Sequence, residues 1–178
     1  MKKSIYAGIF IIGMLGTMLI GCGGENHQVD GNTKIFTDSL GRKVTLPAEV
    51  KKIAVTGPLS QTYVLPLGGD IMVGVSNAFS SDAELYFPDY ILEMTEIGQL
   101  YGGKGEMDLE ALLLADPDAV IDVGEAKSGM KEDFDSLSSQ TGIPFVHIDA
   151  TIATADECYS MMGDLLGRQE QAEKLASW

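Results

Sequence analysis

Phosphate binding is the first chemistry that the residue spacing raises. Gly98-Gln-Leu-Tyr-Gly-Gly103-Lys104-Gly105 has the G-x-x-x-x-G-K frame of a loop whose backbone amides and lysine cradle phosphate groups. Gly105 stands where such a loop needs a Ser or Thr hydroxyl for magnesium, and Glu93-Met-Thr-Glu-Ile97 is too polar for the buried strand that precedes one. The segment therefore reads as a glycine-rich surface loop, and an enzyme working on nucleotides would require it to bind. Acyl transfer has no better support. His27 and His147 are the only histidines, and neither accompanies a nucleophile motif such as G-x-S-x-G. His147, inside Phe145-Val-His-Ile148, reads as a half-buried strand residue, and His27 as a solvated one. Asp108, Glu110, Asp116 and Asp118 fit helix termini and loops better than a paired acid and base. Cys22 and Cys158 lack C-x-x-C spacing, so neither a disulfide framework nor a zinc ribbon is indicated. No catalytic residue, metal site or cofactor is expected.

What remains are polar groups beside apolar or aromatic neighbours, the composition a small-molecule site requires. Ser60 and Gln61 lie in Thr56-Gly-Pro-Leu-Ser-Gln-Thr62, Asn77 in Ser76-Asn-Ala-Phe-Ser80, and Glu125 and Lys127 in Gly124-Glu-Ala-Lys127. Each stretch follows a short apolar run: Ile53 to Thr56, Ile71 to Val75 and Ala119 to Val123, with a fourth run at Phe145 to Ile148. These runs alternate with helical segments, the βαβ signature of a mainly parallel sheet flanked by helices, whose ligands sit at the carboxyl ends of the strands. Lys34 to Thr37 and Arg42 to Leu46, separated by the turn residues Asp38-Ser-Leu-Gly41, read as an N-terminal β-hairpin.

Three helices have start or stop signals. Leu109, Leu112 and Leu113 share a face behind Asp108 at the N-cap, and Asp116-Pro117 ends the element. Met130, Phe134 and Leu137 form a stripe behind a Ser128 cap, closed by Thr141-Gly-Ile-Pro144. Thr154-Ala-Asp-Glu157 has the form of a capping box opening a long helix, with Cys158, Met162, Leu165 and Ala172 along its apolar stripe. Cys158 is thereby a packed small hydrophobe rather than a reactive thiol.

The 178 residues and 45% apolar content suffice for one core. Twelve basic against 26 acidic residues give a net charge of −14, which repels phosphate backbones and excludes nucleic-acid binding. Residues 1 to 21 carry Lys2 and Lys3 before an uncharged apolar run from Ile5 to Ile20, shorter than the ~20 residues of a membrane span and typical of a signal peptide. Leu19-Ile20-Gly21-Cys22 resembles a bacterial lipoprotein box, which implies lipidation of Cys22 and cleavage before it; the alternative is an uncleaved anchor helix. Both place the remainder outside the cytoplasm, at the bacterial cell membrane. Cleavage would leave 10 basic against 26 acidic residues, −16, so membrane contact would rest on the lipid. Residues 22 to 33 read as a flexible tether.

From Phe36 onward the chain resembles the substrate-binding proteins of ABC importers for iron(III)-siderophores, haem and cobalamin. The similarity lies in Asp38-Ser-Leu-Gly-Arg-Lys-Val-Thr-Leu-Pro47, in Leu65-Pro-Leu-Gly68 with Val73-Gly-Val75, in Met107-Asp-Leu-Glu-Ala-Leu-Leu-Leu-Ala-Asp-Pro-Asp-Ala-Val-Ile121, and in Thr141-Gly-Ile-Pro144. The resemblance implies two α/β lobes joined by a long helix, with ligand held between them. Residues 34–153 would be the first lobe and 154–178 the start of the inter-lobe helix, the second lobe being absent. It also implies that Glu110 pairs with an arginine of the permease, although Asp108 replaces the family's asparagine. The function so implied is capture of an iron-siderophore or related metal chelate, haem or corrinoid, for delivery to an ABC permease and its ATPase. The alternative is a membrane-anchored interaction or sensor domain that uses the same lobe without transporting a small molecule.

Overall fold

The computed structural model describes residues 31–101 and 106–177. The expected signal peptide with Cys22, His27 of the expected tether, residues 102–105 of the glycine-rich segment and Trp178 lie outside the described residues. Five short runs form one parallel sheet: β3 (Ile53–Val55), β4 (Met72–Val75), β5 (Thr95–Glu96), β6 (Ala119–Gly124) and β7 (Phe145–Asp149), in the spatial order β5-β4-β3-β6-β7. β1 (Thr33–Thr37) and β2 (Lys43–Pro47) pair antiparallel as the expected hairpin. Every residue of β3 and β6 is buried, because helices cover both faces of the sheet centre and leave no polar side to alternate with.

Side chains alternate between two cores. Ile53, Val55, Ile121, Val146 and Ile148 face helix α1 (Pro58–Gly68) and helix α5 (Ala155–Leu166), together with Val44 and Leu46 of the hairpin. Ala54, Val120 and Phe145 face the other way, against Leu112 of α3 (Leu109–Ala115) and Met130 and Phe134 of α4 (Met130–Thr141). A short helix α2 (Asp89–Leu92) precedes β5, and α6 (Gln169–Ala176) follows α5. From β3 the chain steps outward through β4 to β5, then returns to add β6 and β7 on the opposite side. The winding therefore reverses between β3 and β6.

The hairpin is fastened to the outer edge of β7. Ser39 N–H donates to the His147 carbonyl at 3.0 Å, Ser39 Oγ accepts from Asp149 N–H at 2.9 Å, and Arg42 Nη1 donates to the Phe145 carbonyl at 3.0 Å. Arg42 also pairs with buried Asp38 at 3.0 Å and with Asp135 at 2.9 Å, and its guanidinium lies 5.5 Å from the centre of the Phe134 ring.

Several local expectations are corrected. Residues 58–62, read as part of a strand-end loop over residues 56–62, instead open helix α1, with Pro58 in its first turn, where the missing N–H costs nothing. Leu112 is fully buried but Leu113 is 49% exposed, since the next residue lies about 100° round the helix. Ser128 does not cap α4: the chain enters through Gly129 with φ 84°, leaving Ser128 one residue too far out. Thr154 and Glu157 form no capping box. The Thr154 hydroxyl accepts from Thr151 N–H at 2.9 Å and lies 3.0 Å from the Thr151 hydroxyl, closing a 3₁₀ turn over Ile152–Thr154. The helix expected to run on from Thr154 stops at Leu166, where Gly167 takes φ 68°, and α6 turns back onto α5. Gly163 permits this contact, because a Cβ there would lie 2.6 Å from the Ala172 Cβ. Cys158 is packed as expected, and burial pushes its thiol up to about 12. No helix among the described residues is long and apolar enough to cross a membrane.

Candidate functional site

Where the winding of an open parallel sheet reverses, the connections leaving the two central strands part to opposite sides and leave a crevice at their carboxyl ends. Here that position holds a cavity of about 360 Å³. Thr56 and Gly57 border it from the end of β3, and Leu59 and Ser60 from the first turn of α1. Asp122 to Glu125 border it from the end of β6, and Tyr101 and Lys127 complete the rim.

The floor is polar and internally bonded. Asp122 Oδ1 accepts from the Thr56 hydroxyl, which lies 3.2 Å from Ser60 Oγ; Ser60 Oγ in turn accepts from Val123 N–H at 2.8 Å. Asp122 Oδ2 is 2.7 Å from Nδ1 of His147, whose side chain is wholly buried. The two residues face each other across β6 and β7, paired in register. Lys127 Nζ lies 4.5 Å from the centre of the Tyr101 ring, and the Tyr101 hydroxyl donates to Asp133 at 2.8 Å. Burial, then the Asp133 hydrogen bond and the charges of Asp133 and Asp122, raise the Tyr101 hydroxyl well above the usual phenol range, so it remains a neutral donor. The cavity thus offers an aromatic face, a lysine and a carboxylate within one concave wall. That set can hold a small molecule with both apolar and charged parts.

Ser60, Glu125 and Lys127 come together at this cavity. Gln61 and Asn77 do not line it. Gln61 Oε1 accepts from Ser76 N–H and Ser76 Oγ at 3.1 and 3.0 Å, while Asn77 accepts from Gln99 Nε2 at 2.8 Å. Gln61 instead borders a separate apolar hollow of about 390 Å³ between α1 and the Phe79–Phe87 ring pair. Glu110 is exposed in the first turn of α3, whose Asp108 cap accepts from Glu110 and Ala111 N–H at 2.9 and 3.0 Å. Cys22 lies outside the described residues. Thr56, Tyr101, Asp122 and His147 are the site residues that sequence reasoning missed. An acid inside the otherwise apolar run Ala119-Val-Ile-Asp-Val123 was the available signal, because a buried carboxylate needs a partner.

No protein-family model and no curated protein matches the sequence. Solved structures do match the fold. An ABC transporter solute-binding protein from Sulfurospirillum deleyianum DSM 6946 superposes with a TM-score of 0.69 at 20% identity, over 80% of this chain and 45% of that one. The molybdate periplasmic binding protein MolA of a Haemophilus influenzae ABC transporter gives 0.56 at 22% identity, over 81% of this chain and 49% of that one. The haem-binding protein HmuT gives 0.58 at 21% identity, over 82% and 44%. The chain has the fold of one lobe of these solute-binding proteins and spans a little under half of their length.

Proposed function

We propose that this chain is the cleft-forming first lobe of a lipid-anchored substrate-binding protein of an ABC importer, with α6 beginning the helix that leads to the facing lobe. It captures an iron-siderophore or related metal chelate outside the cytoplasm and delivers it to the membrane permease and its ATPase. The observation that carries the reading is the cavity at the winding reversal, on a fold shared with solute-binding proteins. Neighbours described as binding haem and molybdate support a metal-containing cargo. Lys127 and Tyr101 supply charge and ring contact for such a cargo, and Ser60 and Glu125 border it. Gln61 and Asn77 act behind the wall: Gln61 holds the segment after β4 against α1, and Asn77 ties that segment to Gln99 beyond β5. Glu110, exposed on a short, well-capped helix, docks the permease through a carboxylate–arginine contact, a pairing that supplies register and orientation. The lipid on Cys22 holds the protein at the membrane. Neither a resident cofactor nor catalysis enters this reading.

The test is a titration of tyrosine fluorescence with a ferric tris-catecholate, a ferric trihydroxamate, haemin and cobalamin, on this chain and on the full product of its gene. Saturable quenching by one of them is expected, weaker for the single lobe because half the contacts are missing. Absence of a saturable response to all four in the full product would overturn the proposal.

A further inference from the structure

We infer that His147 sets the charge of the cavity floor through Asp122, so that the site binds anionic ligands more tightly when His147 takes up a proton. The inference rests on the binding role proposed above. Asp122 reaches the cavity, whereas His147 lies behind it with no exposed surface. An ionised Asp122 can only accept, so the 2.7 Å contact requires a proton on His147 Nδ1. Neutral His147 then leaves Nε2 as a bare acceptor, and Nε2 is the one buried side-chain polar atom among the described residues without a hydrogen-bond partner. A second proton fits this position, because Asp149 Oδ1 stands 3.9 Å from Nε2 and would face an N–H in place of a lone pair.

Charged groups lie around the ring on several elements. Asp122 comes from β6 and Asp149 from β7 itself. From the hairpin side Asp38 approaches the His147 backbone amide at 3.5 Å, but Arg42 already offsets it. Asp133 is bonded to Tyr101, Lys127 sits over the same ring, and the Cys158 thiol stays protonated on the opposite core. With neutral His147 the Asp122–His147 unit carries one negative charge at the cavity floor, and with imidazolium it carries none. An anionic ligand and the proton are then bound cooperatively, each favouring the other by the same factor.

Two measurements test this. In ligand-free protein, nitrogen-15 NMR of the His147 ring is expected to show Nδ1 protonated throughout and Nε2 titrating, with the Val123 and Gly124 amides following. His147→Asn keeps a donor in the Nδ1 position but cannot titrate, and should hold those amides fixed. Protonation at Nε2 alone, or amides equally pH-dependent in His147→Asn, would overturn the inference whether or not any ligand binds. In the second measurement, affinity for a ferric tris-catecholate should rise at least tenfold from about pH 8 to about pH 6, since one charge ~10 Å from a single ligand charge is worth about that factor at an effective dielectric constant near 20 and this ligand carries more than one. His147→Asn should flatten that slope, and a neutral ferric trihydroxamate should show none in either protein. An equal slope in both proteins would overturn the inference. Failure of every probe to bind at any pH would reject the importer role and leave the NMR result to decide the charge coupling.

Discussion

At the scale of single residues, Arg42 joins the hairpin to the sheet, and its removal leaves an identifiable cost. Asp38 beside it has no exposed side-chain surface, so Arg42→Ala strands a buried carboxylate. Breaking such a pair costs about 3–5 kcal/mol, and urea unfolding should show that loss, with Arg42→Lys recovering part of it. Asp70 gives a smaller, pH-dependent effect. The Arg168 guanidinium beside it holds its carboxyl below the usual carboxylate range, so the pair stabilises the fold above the unfolded-state pKa. That contribution is lost as pH falls through the lower, folded-state value. Because the Asp70 side chain is 59% exposed, Asp70→Asn should cost less than about 1 kcal/mol at neutral pH and should flatten the acid limb of the unfolding curve. Asp108 was legible in the sequence because an N-cap is a local device, written within three residues. Asp122 and His147 were not, because they lie 25 positions apart and meet only through parallel register.

At the scale of elements, the contact between α5 and α6 is close enough to be tested by one methyl group. Alanine is the better helix former, yet at Gly163 its Cβ would lie 2.6 Å from the Ala172 Cβ and 3.3 Å from the Gln169 backbone. Gly163→Ala should therefore destabilise the chain by about 1–3 kcal/mol, read as a lower thermal midpoint, where an open helix position would be stabilised. Helix α4 could be read from its stripe, since Met130 and Phe134 recur at helical spacing and both are buried. Helix α1 was obscured by its prolines. Ser60, Val64, Leu67 and Gly68 do face inward at helical spacing, but Gly57-Pro58 and the exposed Pro66 look like breakers. Pro58 is harmless in the first turn. Pro66 removes one internal hydrogen bond, and α1 continues through it to Gly68 with its inward face packed on the sheet.

At the scale of the whole molecule, the alternation of apolar runs and helical segments was enough to give a parallel α/β lobe. Strand order was not legible. Nothing local says that β6 returns to the far side of β3, and that reversal is what places the cavity. The hairpin itself was legible, but its docking was not, because Ser39 and Arg42 contact residues 103 to 110 positions away. Deleting residues 31–47 should uncover the outer edge of β7 and produce concentration-dependent larger species in size-exclusion chromatography, while the intact chain at equal concentration does not. The same docking bears on synthesis at the ribosome. The covering hairpin is made about a hundred residues before the strand it protects, so when β7 emerges last of the five, its partner is already waiting. The edge most able to recruit a stray neighbour during biogenesis has the shortest time in which to do so.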